Sequence, residues 1–349
     1  MIKQKKNKVD ELVLENISIC KHDWNDYETS WNFKKHPILY FNNALFENNM
    51  ISWIEYKKKQ FNELKQNEIL LNNIFSEIYK ISNVNVLENK YVSINQPTLE
   101  DTIKSFISFA VGCMFGRYSL DNDGLQYAGG EFNINKYHKF IPDDDNIIPV
   151  LDTEYFEDDI VGRFVEFVKT CFGQRYLEEN LEFISNSISN SNKTPRDKIR
   201  EYFLKDFYNY HNKIYKKRPI YWQFNSGKEN AFNCLIYTHR FNSGLIAKLR
   251  TEYLHKTQKA IEQRIYNCEN ILKNTESSSE KTKVLKEKNK LIKQLEESME
   301  FDEALNYVSN LNIKMDLDDG IKFNHEKFQN IIISKDGIKD KKINLLKKI

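Results

Sequence analysis

Apolar residues recur at helical spacing through much of the chain. From Leu45 to about Ile81 the positions Ile51, Ile54, Phe61, Leu64, Leu71, Ile74, Phe75 and Ile78 follow at three, four or seven, which predicts one long or two short amphipathic helices with Lys57, Lys58 and Lys59 on the wet face. Pro97-Thr98-Leu99-Glu100-Asp101 reads as a helix start capped by Thr98, with Ile103, Phe106, Ile107, Ala110, Val111 and Met114 turned inward and Arg117 marking the end. Thr153 to Asp159 opens a helix whose apolar face is Ile160, Phe164, Phe167, Val168 and Phe172, with Gly173 as C-cap; another spans about Leu177 to Ile188. Pro219 to Phe224 and Phe232 to Tyr237 are β-rich runs joined through Asn225 to Asn230, a hairpin with a polar, cationic tip that either reads a groove or covers a core. Leu245 to about Asn274 and Glu280 to about Asn310 form a highly charged antiparallel helical hairpin, coiled-coil-like, broken at Thr275 to Ser279. Residues 1–43 show no steady period and are read as an irregular lead-in, and the tail from Lys335, with Leu345 and Leu346 among lysines, as a frayed end.

The fold expected is therefore α+β and predominantly α-helical. A helical spacer covers 1–120, a mixed module with the β-hairpin 121–244, the helical hairpin 245–310 and a tail 311–349. With 40% apolar and 13% aromatic residues the chain has ample packing material, so disorder is excluded. The apolar stretch Phe106 to Phe115 is about half the roughly 20 residues of a membrane span, and the cationic N-terminus lacks the apolar core of a signal peptide. Five scattered cysteines suit a reducing cytoplasm. Cys20 with His22 and His36 comes nearest to a ligand cluster, but core cysteine and solvated histidine is the favoured reading, and no metal is expected.

Net charge is only +2, yet its distribution is uneven. Eight acids and no base lie between Asp143 and Asp159, read as first-turn complement to a helix dipole plus solvation. From Lys193 to Arg218 nine bases face three acids, interleaved with Tyr202, Phe203, Phe207, Tyr208, Tyr210 and Tyr215. Such a run serves phosphate neutralisation and base stacking, or equally a helix that buries rings and exposes lysines.

Catalytic signatures are missing from these letters. No two glycines are separated by one residue and no two prolines adjoin, so neither a G-x-G cofactor loop nor an Asn-Pro-Pro-Tyr element exists; no P-loop, G-x-S-x-G or H-E-x-x-H occurs.

Five stretches occur in a telling order: Asp23 to Trp31 (DWNDYETSW), Ser105 to Asp121 (SFISFAVGCMFGRYSLD), Phe203 to Tyr208 (FLKDFY), Lys217 to Trp222 (KRPIYW) and Asp316 to Lys322 (DLDDGIK). Together they resemble the C-terminal portion of the PglX family, adenine-specific DNA methyltransferases of BREX type 1 phage-defence systems. The resemblance implies target recognition on double-stranded DNA, with S-adenosylmethionine and methyl transfer belonging to a catalytic part absent from this chain. A separately encoded catalytic part or other BREX components are the implied protein partners. Candidate DNA contacts are Lys216, Lys217, Arg218, Gln223, Ser226, Lys228, His239 and Arg240, because arginine and glutamine can pair bidentately with guanine and adenine while lysines position phosphates. The alternative is a structural or protein-interaction module that docks through the helical hairpin without DNA specificity.

Overall fold

The computed structural model describes residues 2–81, 89–335 and 338–349; Asp336 and Gly337, inside the tail, lie outside the described residues. The architecture is predominantly helical α+β, as expected.

A three-stranded antiparallel sheet, ordered β1-β3-β2, divides two cores. It comprises β1 (Ile148–Pro149), β2 (Tyr221–Asn225) and β3 (Asn233–Tyr237), with Tyr221 opposite Tyr237 and Asn225 opposite Asn233. Alternation along each strand sends Tyr221, Leu235 and Tyr237 into one core and Trp222, Phe224, Cys234 and Ile236 into the other. Both faces are covered. That explains why these runs read as continuous apolar blocks rather than as alternating strands. Of the two expected roles for the hairpin, the structure shows the one within a core.

The first core is built around α3 (Leu99–Met114), which is buried nearly all round from Ile103 to Met114. Thr98 caps it by accepting from Asp101 N at 3.1 Å. Helices α4 (Ile160–Phe172), through its predicted face, and α5 (Leu177–Ile188), α6 (Pro195–Lys205) and α7 (Phe207–Ile214) pack around it. Gly173 ends α4 at φ 84°, a left-handed value that suits glycine. The rings of Tyr202, Phe203, Phe207 and Tyr208 are all buried, so they hold this core and present no stacking surface. Only Asp159 of the acidic run caps α4, accepting from Val161 N at 3.0 Å; the helix carries no acid in its first turn, contrary to expectation. Asp159 is instead fully buried and bidentate with Arg200 at 2.8 Å.

The second core joins the opposite sheet face to α8 (Leu245–Lys248), the π-helical turn Leu249–Leu254 and the end of α10 (Ser278–Asn310). Helices α9 (His255–Asn274) and α10 run antiparallel: Arg250 pairs with Asp302, Arg264 with Glu287 and Lys288 with Glu269. A short α11 (Ile321–Glu326) precedes β4 (Ile331–Lys335) and β5 (Ile338–Ile343), which pair antiparallel.

Three expectations are corrected. The lead-in is a 24-residue helix, α1 (Ile2–Asn25), antiparallel to α2 (Phe46–Tyr79). Its seam Lys5, Val9, Leu12, Asn16, Ile19 and Asp23 keeps a four-three spacing, but half of those residues are polar, so no apolar stripe betrays it. On α2 the buried side is Phe46, Met50, Trp53, Lys57, Phe61 and Leu64, whereas Ile51, Ile54, Phe75 and Ile78 are exposed, and Lys57 is buried rather than solvated. The C-terminal tail is not frayed: Leu345 and Leu346 are buried, and the segment adds to the free edge of β2 through Asn225 N to Leu345 O (3.0 Å) and Lys347 N to Gln223 O (2.9 Å).

Candidate nucleic-acid interface

Most of the excess positive charge between Lys193 and Arg218 is neutralised locally. Arg196 pairs with Glu178 at 2.7 Å, Lys193 and Lys205 share Glu201, and Arg200 serves Asp159. What remains is a compact group after α7. Lys213, Lys216, Lys217 and Arg218 are exposed and have no acidic partner among the described residues. Lys216 and Lys217 both sit in the left-handed region, at φ 50° and 60°, an arrangement that costs about 1 kcal/mol or more per residue and is held by Lys217 N to Asn212 O and Arg218 N to Tyr215 O. The turn projects three consecutive cations from a rigid helix end.

Other expected contacts divide by burial. Gln223 is 1% exposed, its amide 3.4 Å from Asn233 Oδ1, and it lies beneath the C-terminal segment where no base edge reaches it. Ser226 is also buried, donating to Glu297 Oε1 at 2.7 Å and accepting from Phe232 N at 2.9 Å. Arg240 donates to the carbonyls of Phe115, Asp143 and Asp144 and lies 3.8 Å above the Phe132 ring, so its guanidinium is occupied. Lys228 is exposed at the hairpin tip, 3.7 Å from Glu229. His239 is half-buried beside the Tyr237 ring, and burial, helped by Arg117, pushes its pKa down to about 4. Lys216, Lys217 and Arg218 thus have no acidic partner among the described residues, Lys228 is exposed beside Glu229, and Gln223, Ser226 and Arg240 are turned inward.

Behind the basic turn lies a cavity of about 460 Å³ whose lining includes Trp24, Glu28, Trp31, Arg117, Tyr215 and Lys216. Three of the five stretches that carry the family resemblance meet there: the Asp23 to Trp31 segment running off the end of α1, Arg117 and Tyr118 just beyond α3, and Ile220 before β2. Arg117 donates to Tyr118 Oη at 3.2 Å and to Tyr237 Oη at 3.0 Å, and it has no ion pair among the described residues. Glu28 accepts from Ser108 Oγ at 2.6 Å, and burial pushes its pKa up to about 7 against the opposing pull of Ser108 and Arg117. Sequence reasoning passed over Glu28 and gave Arg117 only as the end of a helix; as single residues they match no motif, and their only functional signal was membership of those stretches.

The metal candidates do not assemble. His36 is buried against Ser105 Oγ at 2.9 Å and forms no ligand group with Cys20 and His22. Among the described residues only Asp143, Asp144 and Asp145 cluster, and the acids at 143 and 145 accept from Ile147 N while Asp145 also pairs with Lys248 at 3.0 Å. They brace a turn. No described helix is long and apolar enough to cross a membrane.

No known protein-family profile matches the chain. It is 39% identical to the adenine-specific methyltransferase PglX of Lacticaseibacillus casei (strain Zhang) in an alignment of 339 positions that covers 94% of the chain, and 34% identical to the adenine-specific methyltransferase BrxX of Escherichia coli O9:H4 (strain HS) in an alignment of 359 positions that again covers 94% of the chain. The matches cover 28% and 30% of those proteins, so the chain spans less than a third of their length. The PglX match falls in the C-terminal part, which bears out the resemblance read from the sequence: the chain is related over nearly its whole extent to the C-terminal portion of PglX-type methyltransferases.

Proposed function

We propose that this chain is the DNA target-recognition part of a BREX-type, site-specific adenine-N6 DNA methyltransferase, working in the cytoplasm and inactive in methyl transfer by itself. The observation that carries the reading is the 39% identity to the C-terminal portion of a protein named as an adenine-specific methyltransferase, in a chain with neither a G-x-G turn nor adjacent prolines. The residues present do not suit S-adenosylmethionine. Gly124, Gly129 and Gly130, the closest approach to a glycine-rich loop, stand in irregular sequence rather than between a strand and a helix. The cofactor and the chemistry therefore belong to a catalytic partner.

Under this reading Lys216, Lys217 and Arg218 neutralise phosphates on one strand and Lys228 extends the contact. These are positioning contacts, with Arg218 the candidate for a base edge in the major groove. Fluorescence anisotropy with duplex DNA tests it. Each phosphate contact contributes a slope of about −0.9 in log affinity against log salt, so replacing Lys216, Lys217 and Arg218 together by alanine flattens the slope by about 2 to 3. Absence of duplex binding at about 50 mM salt, where such contacts are strong, refutes the proposal. Purified chain incubated with tritiated S-adenosylmethionine and duplex transfers no methyl group.

A second reading rests on the helical hairpin, whose Tyr266, Ile271 and Leu285 are exposed on α9 and α10. These residues suit docking to a protein partner such as the catalytic part. Capture of that partner by the intact chain, abolished by polar substitution of the three, supports this use of the hairpin.

A further inference from the structure

The cavity behind the basic turn combines features that neither core packing nor phosphate binding uses. Trp31 is 97% exposed and Trp24 62% exposed, and neither makes a ring contact or hydrogen bond among the described residues. An indole face left in water at a cavity mouth is an unoccupied stacking platform. Deeper in, one Glu28 oxygen is held by Ser108, while the other, Oε2, is buried without any partner, as is the hydroxyl of Tyr215. Arg117 brings guanidinium donors to the same place, with no carboxylate bonded to it. The floor therefore offers an acceptor beside donors, and buried groups of this kind call for a ligand or solvent that completes them. Lys216 stands at the rim, where a phosphate attached to whatever enters the cavity would meet it. At about 460 Å³ the space falls in the range of small-ligand pockets and is larger than one heterocycle requires.

We propose that this cavity binds one nucleotide, its base stacked on Trp31 or Trp24 with its polar edge on Glu28 and Arg117, and its phosphate on Lys216. An apolar ligand would strand the Glu28 and Tyr215 oxygens, and a simple anion would leave both indoles unused. A base with a phosphate attached satisfies all of them. The site goes beyond target recognition by the basic turn and shares only Lys216 with it. The nucleotide comes either free from solution or as an unpaired residue of a DNA strand.

Tryptophan fluorescence separates these sources, because the two remaining tryptophans, Trp53 and Trp222, are buried. The chain is titrated with the four deoxynucleoside monophosphates, with a fully paired duplex, and with the same duplex carrying a single-nucleotide bulge. Quenching by a monophosphate identifies a free nucleotide as ligand. Tighter binding of the bulged duplex, by at least fivefold, identifies an unpaired one. In either case the double variant Trp24→Ala, Trp31→Ala, a change of two exposed rings, binds a labelled ligand at least fivefold more weakly by anisotropy, and Glu28→Gln weakens binding while preserving side-chain shape. The proposal is overturned if no monophosphate quenches and the bulge confers no advantage, or if binding survives in both the double variant and Glu28→Gln. Salt-dependent binding of the paired duplex persists in that event if the basic turn alone contacts DNA, so the two readings fail separately.

Discussion

Lys57 of α2 places its ammonium against the Asp23 carboxylate of α1, with Asp26 3.2 Å away, and its side chain is only 1% exposed. A cation buried in a helix seam ties α2 to the end of α1 that carries Trp24 and to the turn that leads on to Trp31. Removing one member of such a group leaves charge without compensation. Lys57→Ala should destabilise the protein by about 3 kcal/mol in urea denaturation. Asp23→Asn and Asp26→Asn added to Lys57→Met should recover most of that loss, since the neutral set strands no charge. An unchanged urea midpoint in Lys57→Ala would show that the pair contributes nothing.

The same lysine marks where legibility ended. In one dimension Lys57-Lys58-Lys59 is a solvated triplet, and only the chain fold, which brings Asp23 and Asp26 to it from more than thirty residues away, distinguishes the first from the others. Helix α4 begins at Ile160 rather than within Thr153 to Asp159, and α3 ends at Met114 rather than Arg117. The apolar faces of both, the start of α3 at Thr98, the end of α4 at Gly173 and the span of α5 were nonetheless readable, because those faces are uninterrupted and the caps are local signals. Helix α1 was not, because Asn16 and Asp23 occupy seam positions. The candidate contacts fared similarly: charge predicted Lys216, Lys217 and Arg218 on the surface, but nothing in the sequence around Gln223 announces that Leu345 and Lys347 return to cover it.

Glu28 gives a pH signature. Its ordinary pKa of 4.5 is pushed up to about 7 in the folded chain by burial, with Ser108 and Arg117 opposing. The folded state therefore holds the proton more tightly than the unfolded state. The stability this confers is present below about pH 4.5 and is lost as pH rises toward 7. Glu28→Gln lacks that loss, so the variant should gain on the parent by about 3 kcal/mol between pH 4.5 and 8. The comparison must be a difference, because buried His36 and His211, both pushed down to about 3, act with the opposite sign below pH 6.5. Parallel stability curves for the two proteins would contradict the assignment.

Closure of the sheet depends on the last residues. Leu345 is fully buried in the second core, and its carbonyl accepts from Asn225 N on the edge of β2. Leu345→Ala should cost about 2–5 kcal/mol, the usual range for an emptied leucine site. Deleting residues 344–349 should go further, because it uncovers both the β2 edge and the rings beneath it; size-exclusion chromatography should then show aggregated or polydisperse material. A deletion variant that stays monomeric with parental melting would show the segment to be dispensable.

Glu297 of α10 clamps the tip of the β-hairpin by accepting from Ser226 Oγ, Glu229 N and Ala231 N, at 2.7, 2.8 and 3.1 Å. One carboxylate thus satisfies a turn that contains Gly227 at φ 146°, where an added Cβ would come within 2.6 Å of that same carboxylate. Glu297→Ala should lower stability by about 2 kcal/mol and speed hydrogen exchange at Ala231 and Glu229. Gly227→Ala should loosen the same turn by displacing the clamp. Unaltered exchange in both variants would separate the hairpin tip from α10.

Arg240 and Arg218 provide the sharpest contrast between a cation that builds the fold and one that faces a ligand. Arg240 satisfies three carbonyls, from Phe115, Asp143 and Asp144, and lies on Phe132, whereas Arg218 is exposed with no acidic partner among the described residues. Arg240→Ala should cost about 3 kcal/mol by orphaning those carbonyls and the ring face. Arg240→Lys should recover little, because an ammonium cannot span all three acceptors. Arg218→Ala should change stability by less than about 0.5 kcal/mol while weakening duplex binding and reducing its salt slope by about 1. Calorimetric melting and anisotropy on the same preparations read both quantities. If Arg218→Ala destabilises the fold, or if Arg240→Ala melts like the parent yet loses DNA, the division between structural and ligand-facing cations is the reverse of the one drawn from the geometry.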